Sequence, residues 1–202
     1  MTWDALYESG KFRITTTKPS KIVVRGLQRE FRTFKRVLDL GCGNGRNSAY
    51  AALLGFSVDA VDLVDLNISK GLSRKMGQRI SFYKASIMEF KILENSYRHI
   101  IMTRLIQYIS PDDLAVLFSR VSKGLMKNGT LMLNYVESGG YFNPGNGNVM
   151  FYSHAIGEIT ALVQASGLAI SYLQPGADTT IHTNHNLPVK PYDLLAEKAN
   201  QL

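Results

Sequence analysis

A glycine-rich turn between two predicted β-strands limits what this 202-residue chain can fold into. The apolar pattern of Val37–Leu40 predicts a strand, and Gly41, Gly43 and Gly45 follow it at alternate positions. After a helical segment, Val58–Asp62 has the pattern of a second strand that ends in a carboxylate. Glycine permits tight backbone turns, and a close approach to a ligand, that a Cβ atom would block. This order of strand, turn, helix and strand is typical of the start of an α/β sheet.

The same segment predicts a site for a nucleoside-containing cofactor. A helix N-terminus offers unpaired N–H groups and a positive dipole end to an anionic group. Asp62, at the end of the second strand, is placed to accept hydrogen bonds from ribose hydroxyls. The glycines do not follow the dinucleotide spacing G-x-G-x-x-G, and the chain has no phosphate loop of the form G-x-x-x-x-G-K-[ST]. A tight turn in an ordinary α/β protein is the alternative interpretation.

The rest of the chain continues the alternation of strands and helices that defines an α/β sheet. Strands are predicted at residues 37–40, 58–62, 80–85, 98–103, 130–136, 168–173 and 192–196. Helices are predicted at residues 44–54, 66–76, 110–127 and 153–166. We expect a single-domain, Rossmann-like sheet of seven strands, mostly parallel with an antiparallel C-terminal strand, and helices on both faces.

Two of these helices have a predicted N-terminal cap. Ser110 precedes Pro111 and two acidic residues, the usual sequence of a capping residue, a first-position proline and acids in the first turn. Asn128–Gly129 is expected to end that helix, and Ser153 is expected to cap the next one.

The first 36 residues carry most of the positive charge. They hold nine basic and three acidic side chains, a net charge of +6 out of +7 for the whole chain. Such a charge fits an anionic partner such as nucleic acid. It also fits the solvated face of an amphipathic helix, because Val23, Leu27, Phe31 and Phe34 recur at helical spacing. We expect residues 1–36 to form a basic helical lid segment on one compact domain.

The glycine turn resembles a known motif. Residues 38–48, L-D-L-G-C-G-N-G-R-N-S, resemble motif I of class I S-adenosylmethionine (SAM)-dependent methyltransferases, whose loop is usually D/E-x-G-x-G-x-G. Together with Tyr50 and Leu54–Phe56, they are most similar to the tellurite-resistance (TehB-type) methyltransferases, whose loop also carries G-R-N-S. The resemblance implies that residues 37–202 form a methyltransferase domain with SAM as cofactor and S-adenosylhomocysteine as product.

The resemblance and the sheet together imply a set of cofactor-binding residues, because ligands bind outside the carboxyl ends of the strands in open α/β sheets. Leu63 and Ile87 would cover the two faces of the adenine, and Ser86, where the family commonly has an acid, would bond its amino group. The full set is Tyr7, Asp39, Gly41, Cys42, Gly43, Asn44, Gly45, Arg46, Asn47, Asp62, Leu63, Ser86, Ile87 and Thr103.

The resemblance also implies two residues on the acceptor side. In the TehB-type family a histidine and a basic residue near the C-terminus face the methyl donor. His182 and Lys190 stand at similar positions in this sequence. The family's basic residue is typically arginine. His182 also forms an H-x-x-H pair with His185, which is a weak metal signal without a third ligand on a shared helix, and we expect no metal.

The implied chemistry is an in-line displacement at the sulfonium methyl, with a small-molecule acceptor such as a chalcogen oxyanion or another soft nucleophile. A soft nucleophile needs no base, whereas for an oxygen or nitrogen acceptor His182 is the candidate base. Two alternatives stay open. The positive charge favours a nucleic-acid (RNA) methyltransferase, although the [DNS]-P-P-[YF] motif of amino-methylating DNA enzymes is absent after the fourth strand. The other is a non-catalytic SAM-binding module.

The composition and the apolar pattern of the chain indicate its cellular compartment. Cys42 is the only cysteine, which excludes an internal disulfide and is typical of a reducing compartment. The N-terminus lacks the pattern of a secretory signal, and no stretch approaches the roughly 18 apolar residues that span a bilayer. We expect a cytoplasmic monomer or homodimer without a membrane partner.

Overall fold

Strands and helices alternate along the chain. The structure, a computed structural model, describes residues 16–28, 35–65, 78–138, 152–176 and 189–199. Its elements are α1 (Lys21–Leu27), β1 (Arg36–Leu40), α2 (Arg46–Leu53), β2 (Ser57–Asp62), β3 (Ile80–Lys84), β4 (Tyr97–Thr103), a short 3₁₀ helix (Ile106–Tyr108), α3 (Pro111–Gly124), β5 (Leu125–Ser138), α4 (Ile156–Ala165), β6 (Leu168–Pro175) and β7 (Val189–Lys198).

The strands in these ranges form one seven-stranded sheet in the order β3-β2-β1-β4-β5-β7-β6. Neighbours from β3 to β5 are parallel, whereas β7 lies antiparallel to both β5 and β6. The strand order reverses between β1 and β4, and ligands bind at such a switch point in open α/β sheets. The predicted Rossmann-like sheet, mostly parallel with one antiparallel C-terminal strand, is confirmed.

Alternate residues of the central strands enter two separate core layers, because successive side chains of a strand point to opposite faces. In β4, Ile100 and Met102 join the layer formed with α3 and α4, and Ile101 joins the layer formed with α1 and α2. The central strands β1, β2 and β4 are buried on both faces, which explains why they are mostly apolar. Helices therefore cover both faces, as expected.

Helix α1 packs directly on the sheet. Its Val23 and Leu27 are buried, in agreement with the predicted apolar spacing, and Ile22 is buried beside them. A Cβ atom on Gly26 would lie 2.6 Å from Cε of Met132, so the absence of a side chain brings α1 close to β5. The rest of that spacing, at residues 31 and 34, lies outside the described residues.

Helix α3 ends earlier than predicted. It stops at Gly124, and strand β5 begins at Leu125, so the expected helical end at residue 127 is wrong. The last carbonyls of the helix find partners in the loop before β4, because the N–H groups of Asn95 and Ser96 donate to the carbonyls of residues 123 and 124. Asn128 and Gly129, expected to end the helix, lie inside β5, where Asn128 has a φ of +59°. The N-terminal cap is as expected, since Ser110 Oγ accepts the N–H of Asp113 at 3.2 Å.

Helix α4 does not use the predicted cap. The helix begins at Ile156, after Ala155, and not at Ser153. The carboxylate of Glu158 accepts the N–H of Ala155 at 3.0 Å, so an acidic side chain one turn into the helix satisfies its N-terminus instead. The predicted helix at 66–76 lies outside the described residues. No helix in the described ranges is long and apolar enough to cross a membrane.

Candidate functional site

The glycine turn crosses the carboxyl ends of β1 and β2. Gly41, Gly43 and Gly45 have φ angles of +67°, +54° and +74°, in the left-handed region that favours glycine. The N–H groups of Gly41 and Cys42 both donate to the carbonyl of Val61, at 2.9 and 3.1 Å. A Cβ atom on Gly41 would lie 2.7 Å from Cδ1 of Leu105, a residue of the segment that follows β4. The turn is therefore held between the ends of three neighbouring strands.

Asp62 is fixed against this turn. Its Oδ2 accepts the N–H of Gly43 at 2.8 Å, and its Oδ1 accepts the N–H of Val64 at 3.1 Å. Burial raises the pKa of the Asp62 carboxyl, and the backbone N–H donors oppose that shift. Each carboxylate oxygen can accept a second hydrogen bond. The neighbouring Leu63 is 44% exposed, which leaves an apolar side chain at the same edge.

Asp39 lies in β1 directly beneath the turn. Its side chain is fully buried, and Oδ2 accepts the hydroxyl of Ser48 at 2.6 Å. Its Oδ1 has no hydrogen-bond partner among the described residues. Burial raises the pKa of Asp39 from 3.8 to about 7. The hydrogen bond from Ser48 to Asp39 therefore joins helix α2 to strand β1 of the sheet.

Three predicted cofactor residues contact the segment before α1. Asn44 Nδ2 donates to the carbonyl of Thr16 at 3.0 Å, and Arg46 Nη1 donates to the carbonyl of Lys18 at 3.2 Å. Asn47 Oδ1 accepts a backbone N–H at residue 20 at 2.9 Å. Helix α2 has Gly45 as its N-cap, and Asn44 Oδ1 accepts the first helical N–H, that of Arg46, at 3.4 Å. The N–H groups that follow in the first turn can bind an anion.

Cys42 is a buried residue of the turn. It packs beside Ala60 of β2. Burial raises the pKa of the Cys42 thiol, so the thiol stays protonated near neutral pH and acts as a small apolar side chain.

The turn after β3 brings two further predicted residues to the same edge. Ser86 is half-buried and its Oγ accepts the N–H of Met88 at 3.2 Å. Ile87 is buried and joins the core layer of α3. The N–H of Ala85 donates to the carbonyl of Asp62 at 2.9 Å, which ties this turn to the end of β2.

The sequence did not reveal a polar network that joins the end of β4 to β5 and β7. Arg104, which follows Thr103 with a φ of +56°, donates from Nε to Oδ1 of Asn134 at 2.9 Å. Asn134 Nδ2 donates to Oδ1 of Asp193 at 2.5 Å. Asn134 is 1% exposed and interrupts the apolar run of residues 131–136 in β5. A polar residue in such a strand was the signal that could have revealed this network.

The acceptor-side residues are only partly within the described ranges. Lys190 pairs with Glu137 in the β7–β5 register, which puts its backbone at the edge that carries Asp62 and Thr103. Tyr7, His182 and His185 lie outside the described residues. In the part of the chain that the structure describes, no group of three or more His, Cys, Asp or Glu residues could hold a metal ion.

Comparisons with known proteins agree with this geometry. Residues 37–129 match the family model described as a methyltransferase domain. The chain is 29% identical to the ubiquinone biosynthesis O-methyltransferase of Rickettsia prowazekii, over 41% of this chain and 38% of that protein. It thus spans about two fifths of the length of this curated relative.

Solved structures share the fold. One is the 1,6-didemethyltoxoflavin-N1-methyltransferase of Burkholderia thailandensis with bound S-adenosylhomocysteine, with a TM-score of 0.78, 20% identity, and coverage of 97% of this chain and 85% of that one. Another is the phosphoethanolamine N-methyltransferase 2 of Haemonchus contortus in complex with SAM, with a TM-score of 0.70, 16% identity, and coverage of 99% and 60%. The fold is that of a class I SAM-dependent methyltransferase. Together the matches show this fold and a similarity to a methyltransferase domain over residues 37–129.

The residues of the site fit SAM. The left-handed glycines allow the backbone to approach a ligand closely. The N-terminus of α2 suits the methionine carboxylate. The fixed carboxylate of Asp62 suits the ribose hydroxyls, and the exposed Leu63 suits the apolar face of an adenine.

Proposed function

We propose that this protein is a SAM-dependent methyltransferase that transfers a methyl group to a small-molecule acceptor by in-line displacement. The observation that carries the proposal is the fixed carboxylate of Asp62. Hydrogen bonds from Gly43 and Val64 hold it beside the glycine turn, at the carboxyl end of β2. The matched methyltransferase domain supports the reaction class.

The cofactor occupies the edge formed by β1, β2 and β3 in this proposal. Asp62 accepts hydrogen bonds from the ribose hydroxyls, and the methionine carboxylate binds at the N-terminus of α2. Adenine lies between Leu63 and Ile87, with Ser86 at its amino group. Residues 1–36, including Tyr7, form the basic lid over the cofactor, and residues 37–202 form the methyltransferase domain.

The protein contributes orientation and exclusion of water. When bound, SAM supplies an electrophilic methyl group with its own leaving group, so the chain has to align the acceptor and hold the cofactor. The network of Arg104, Asn134 and Asp193 braces the sheet edge next to Thr103. A rigid sheet edge favours a fixed angle between the acceptor and the methyl group of SAM, which an in-line displacement requires.

We infer a small acceptor because the names of the relatives refer to small molecules. One is named for ubiquinone biosynthesis, and the others are named for 1,6-didemethyltoxoflavin and phosphoethanolamine. Within that class we propose a soft nucleophile such as a chalcogen oxyanion, following the TehB-type resemblance of the G-R-N-S loop. His182 and Lys190 then bind and orient the acceptor. The single cysteine favours a cytoplasmic protein. For the oligomeric state we propose a monomer or a homodimer.

The direct test is the conversion of SAM to S-adenosylhomocysteine with tellurite, selenite, thiols, amines and RNA as separate acceptors. Turnover with an oxyanion or a thiol, abolished in Asp62→Ala, supports the proposal. Turnover with RNA alone would replace the small acceptor by a nucleic acid, which the net charge of +6 in residues 1–36 would explain. Binding of SAM without turnover on any acceptor would favour a SAM-binding module.

A further inference from the structure

Arg120 contacts a turn that lies some thirty residues earlier in the chain. It projects from α3, and its Nη1 donates to the carbonyls of Ile87 and Met88 at 3.1 and 2.9 Å. Its Nη2 donates to the carbonyl of Phe90. One guanidinium thus holds three backbone carbonyls of a single turn.

The turn needs such a partner. The N–H groups of Glu89 and Phe90 both donate to the carbonyl of Ser86, which makes residues 86–90 a single helical turn. Ser86 Oγ satisfies one N–H at its start. The carbonyls at its end have no following turn to pair with, and a cationic side chain can bind such carbonyls with charge-assisted hydrogen bonds.

The same turn carries two residues of the candidate adenine site. Ser86 and Ile87 begin it, and the Ala85 N–H that precedes it donates to the carbonyl of Asp62. The turn is therefore anchored at its start to the ribose side of the site, and at its end to α3 through Arg120. Movement of either anchor would displace Ser86 relative to Asp62.

We propose that Arg120 is a positioning residue for the adenine half of the cofactor site. It acts through the turn and does not touch the cofactor. A lysine cannot replace it fully, because a single ammonium on a flexible stem lacks the planar fork that reaches three carbonyls at once. The inference rests on the proposed function, since it assumes that SAM binds at this edge.

The test compares two ligands that differ at the position-6 edge of the purine: S-adenosylhomocysteine, with an amino group at position 6, and S-inosylhomocysteine, with an oxygen there and a proton on N1. Calorimetry gives both dissociation constants for the wild type, Arg120→Met and Arg120→Lys. Lys123→Met is the matched control, because Lys123 is an exposed cation on the same helix. We expect the wild type and the control to prefer the adenosyl ligand equally.

In Arg120→Met we expect affinity for S-adenosylhomocysteine to fall about tenfold, from a loss of aligned hydrogen bonds, with a smaller fall for the inosyl ligand. The preference between the two ligands therefore shrinks at least threefold, and Arg120→Lys gives an intermediate value. If Arg120→Met does not fold, Arg120→Lys provides the comparison alone.

An unchanged preference in the Arg120 variants, even with a lower melting temperature, would overturn the inference and leave Arg120 a purely structural residue. A wild type that binds both ligands equally would overturn it as well, because the turn would then not recognise position 6. A folded wild type that binds neither ligand would instead reject the proposed function itself. The two failures are thus distinguishable.

Discussion

Asn47 and Thr103 join the first turn of helix α2 to the end of strand β4. The Nδ2 group of Asn47 donates to Oγ1 of Thr103 at 2.8 Å, and both side chains are buried. The Oδ1 atom of the same amide accepts the N–H of Ser20 at 2.9 Å. One side chain therefore links three segments that are far apart in the sequence, and all three border the candidate cofactor site.

Asn47→Ala is expected to destabilise the protein by about 1–3 kcal/mol, because it leaves a buried hydroxyl and a buried N–H without their partner. Urea denaturation at neutral pH measures the change. Asn44→Ala is the control, since Asn44 is only half-buried and donates to one carbonyl. Equal free energies of unfolding for the wild type and Asn47→Ala would contradict the bridging role.

Asp62→Ala is expected to weaken binding of S-adenosylhomocysteine by about 1.5–3 kcal/mol, the value of hydrogen bonds to a charged group. Asp59→Asn is the matched control within the same strand. Asp59 accepts hydrogen bonds from Arg36 and Tyr97 at 2.7 and 2.9 Å, away from the carboxyl edge. The control should lose stability and keep its affinity in calorimetry. A similar loss of affinity in both variants would argue against a direct contact by Asp62.

Asp39 is expected to make stability depend on pH. Burial raises its pKa from 3.8 to about 7, so between these values the folded protein keeps a proton that the unfolded chain releases. Stability therefore falls as the pH rises from about 4 to about 7, by an amount of order 4 kcal/mol for this group. Asp39→Asn, which cannot ionise, should gain stability relative to the wild type across that window.

Thermal or chemical unfolding of both proteins at pH 5, 6, 7 and 8 measures this difference. Ser48→Ala serves as a second variant, because it removes the hydroxyl that stabilises the ionised Asp39 and should move the window upward. A difference between the wild type and Asp39→Asn that does not vary with pH would contradict the prediction.

His182→Ala is expected to lower turnover and leave SAM affinity nearly unchanged, because the cofactor is bound by the other half of the crevice. A general base contributes about 10²–10⁴ in rate, and a histidine that only orients an ionised acceptor contributes less. A pH–rate profile separates the two roles, since only a base adds an ionisation near neutral pH. Full turnover in the variant with an accepted substrate would remove His182 from the mechanism.

Deletion of residues 1–18 is expected to impair retention of SAM more than any affinity for nucleic acid, because Asn44 and Arg46 lose the carbonyls of Thr16 and Lys18. Ligand release is measured by competition with labelled SAM. A full-length variant with Lys11 and Arg13 changed to glutamine keeps the backbone and should behave as the wild type. Tight, steeply salt-dependent binding of RNA by the wild type would favour a nucleic-acid acceptor instead.

Much of the fold follows from local sequence pattern. The mostly apolar segments 37–40 and 98–103 predicted two strands of the sheet, and Ser110 with Pro111 predicted the start of α3. These features depend on a few adjacent residues, whose preferences are set by backbone geometry and hydrophobic period. The glycine turn belongs to the same class, because its left-handed angles favour glycine.

Element ends and side-chain partners depended on neighbours that are distant in the chain. Helix α3 stops at Gly124, where the distant loop before β4 supplies partners for its last carbonyls. The start of α4 at Ile156 is an exception, because it depends on a local contact from the N–H of Ala155 to Glu158 that replaces the expected Ser153 cap.

The sequence alone therefore determined the order of strands and helices, the glycine turn and the acid that faces it. The links from Asn47 to Thr103, from Asn134 to Asp193 and from Arg120 to the turn after β3 arose only in the folded protein. Each joins groups that 30 or more residues separate. Such contacts are set by strand order and register, which result from packing of the whole sheet. They produce no periodic pattern of residues from which they could be predicted.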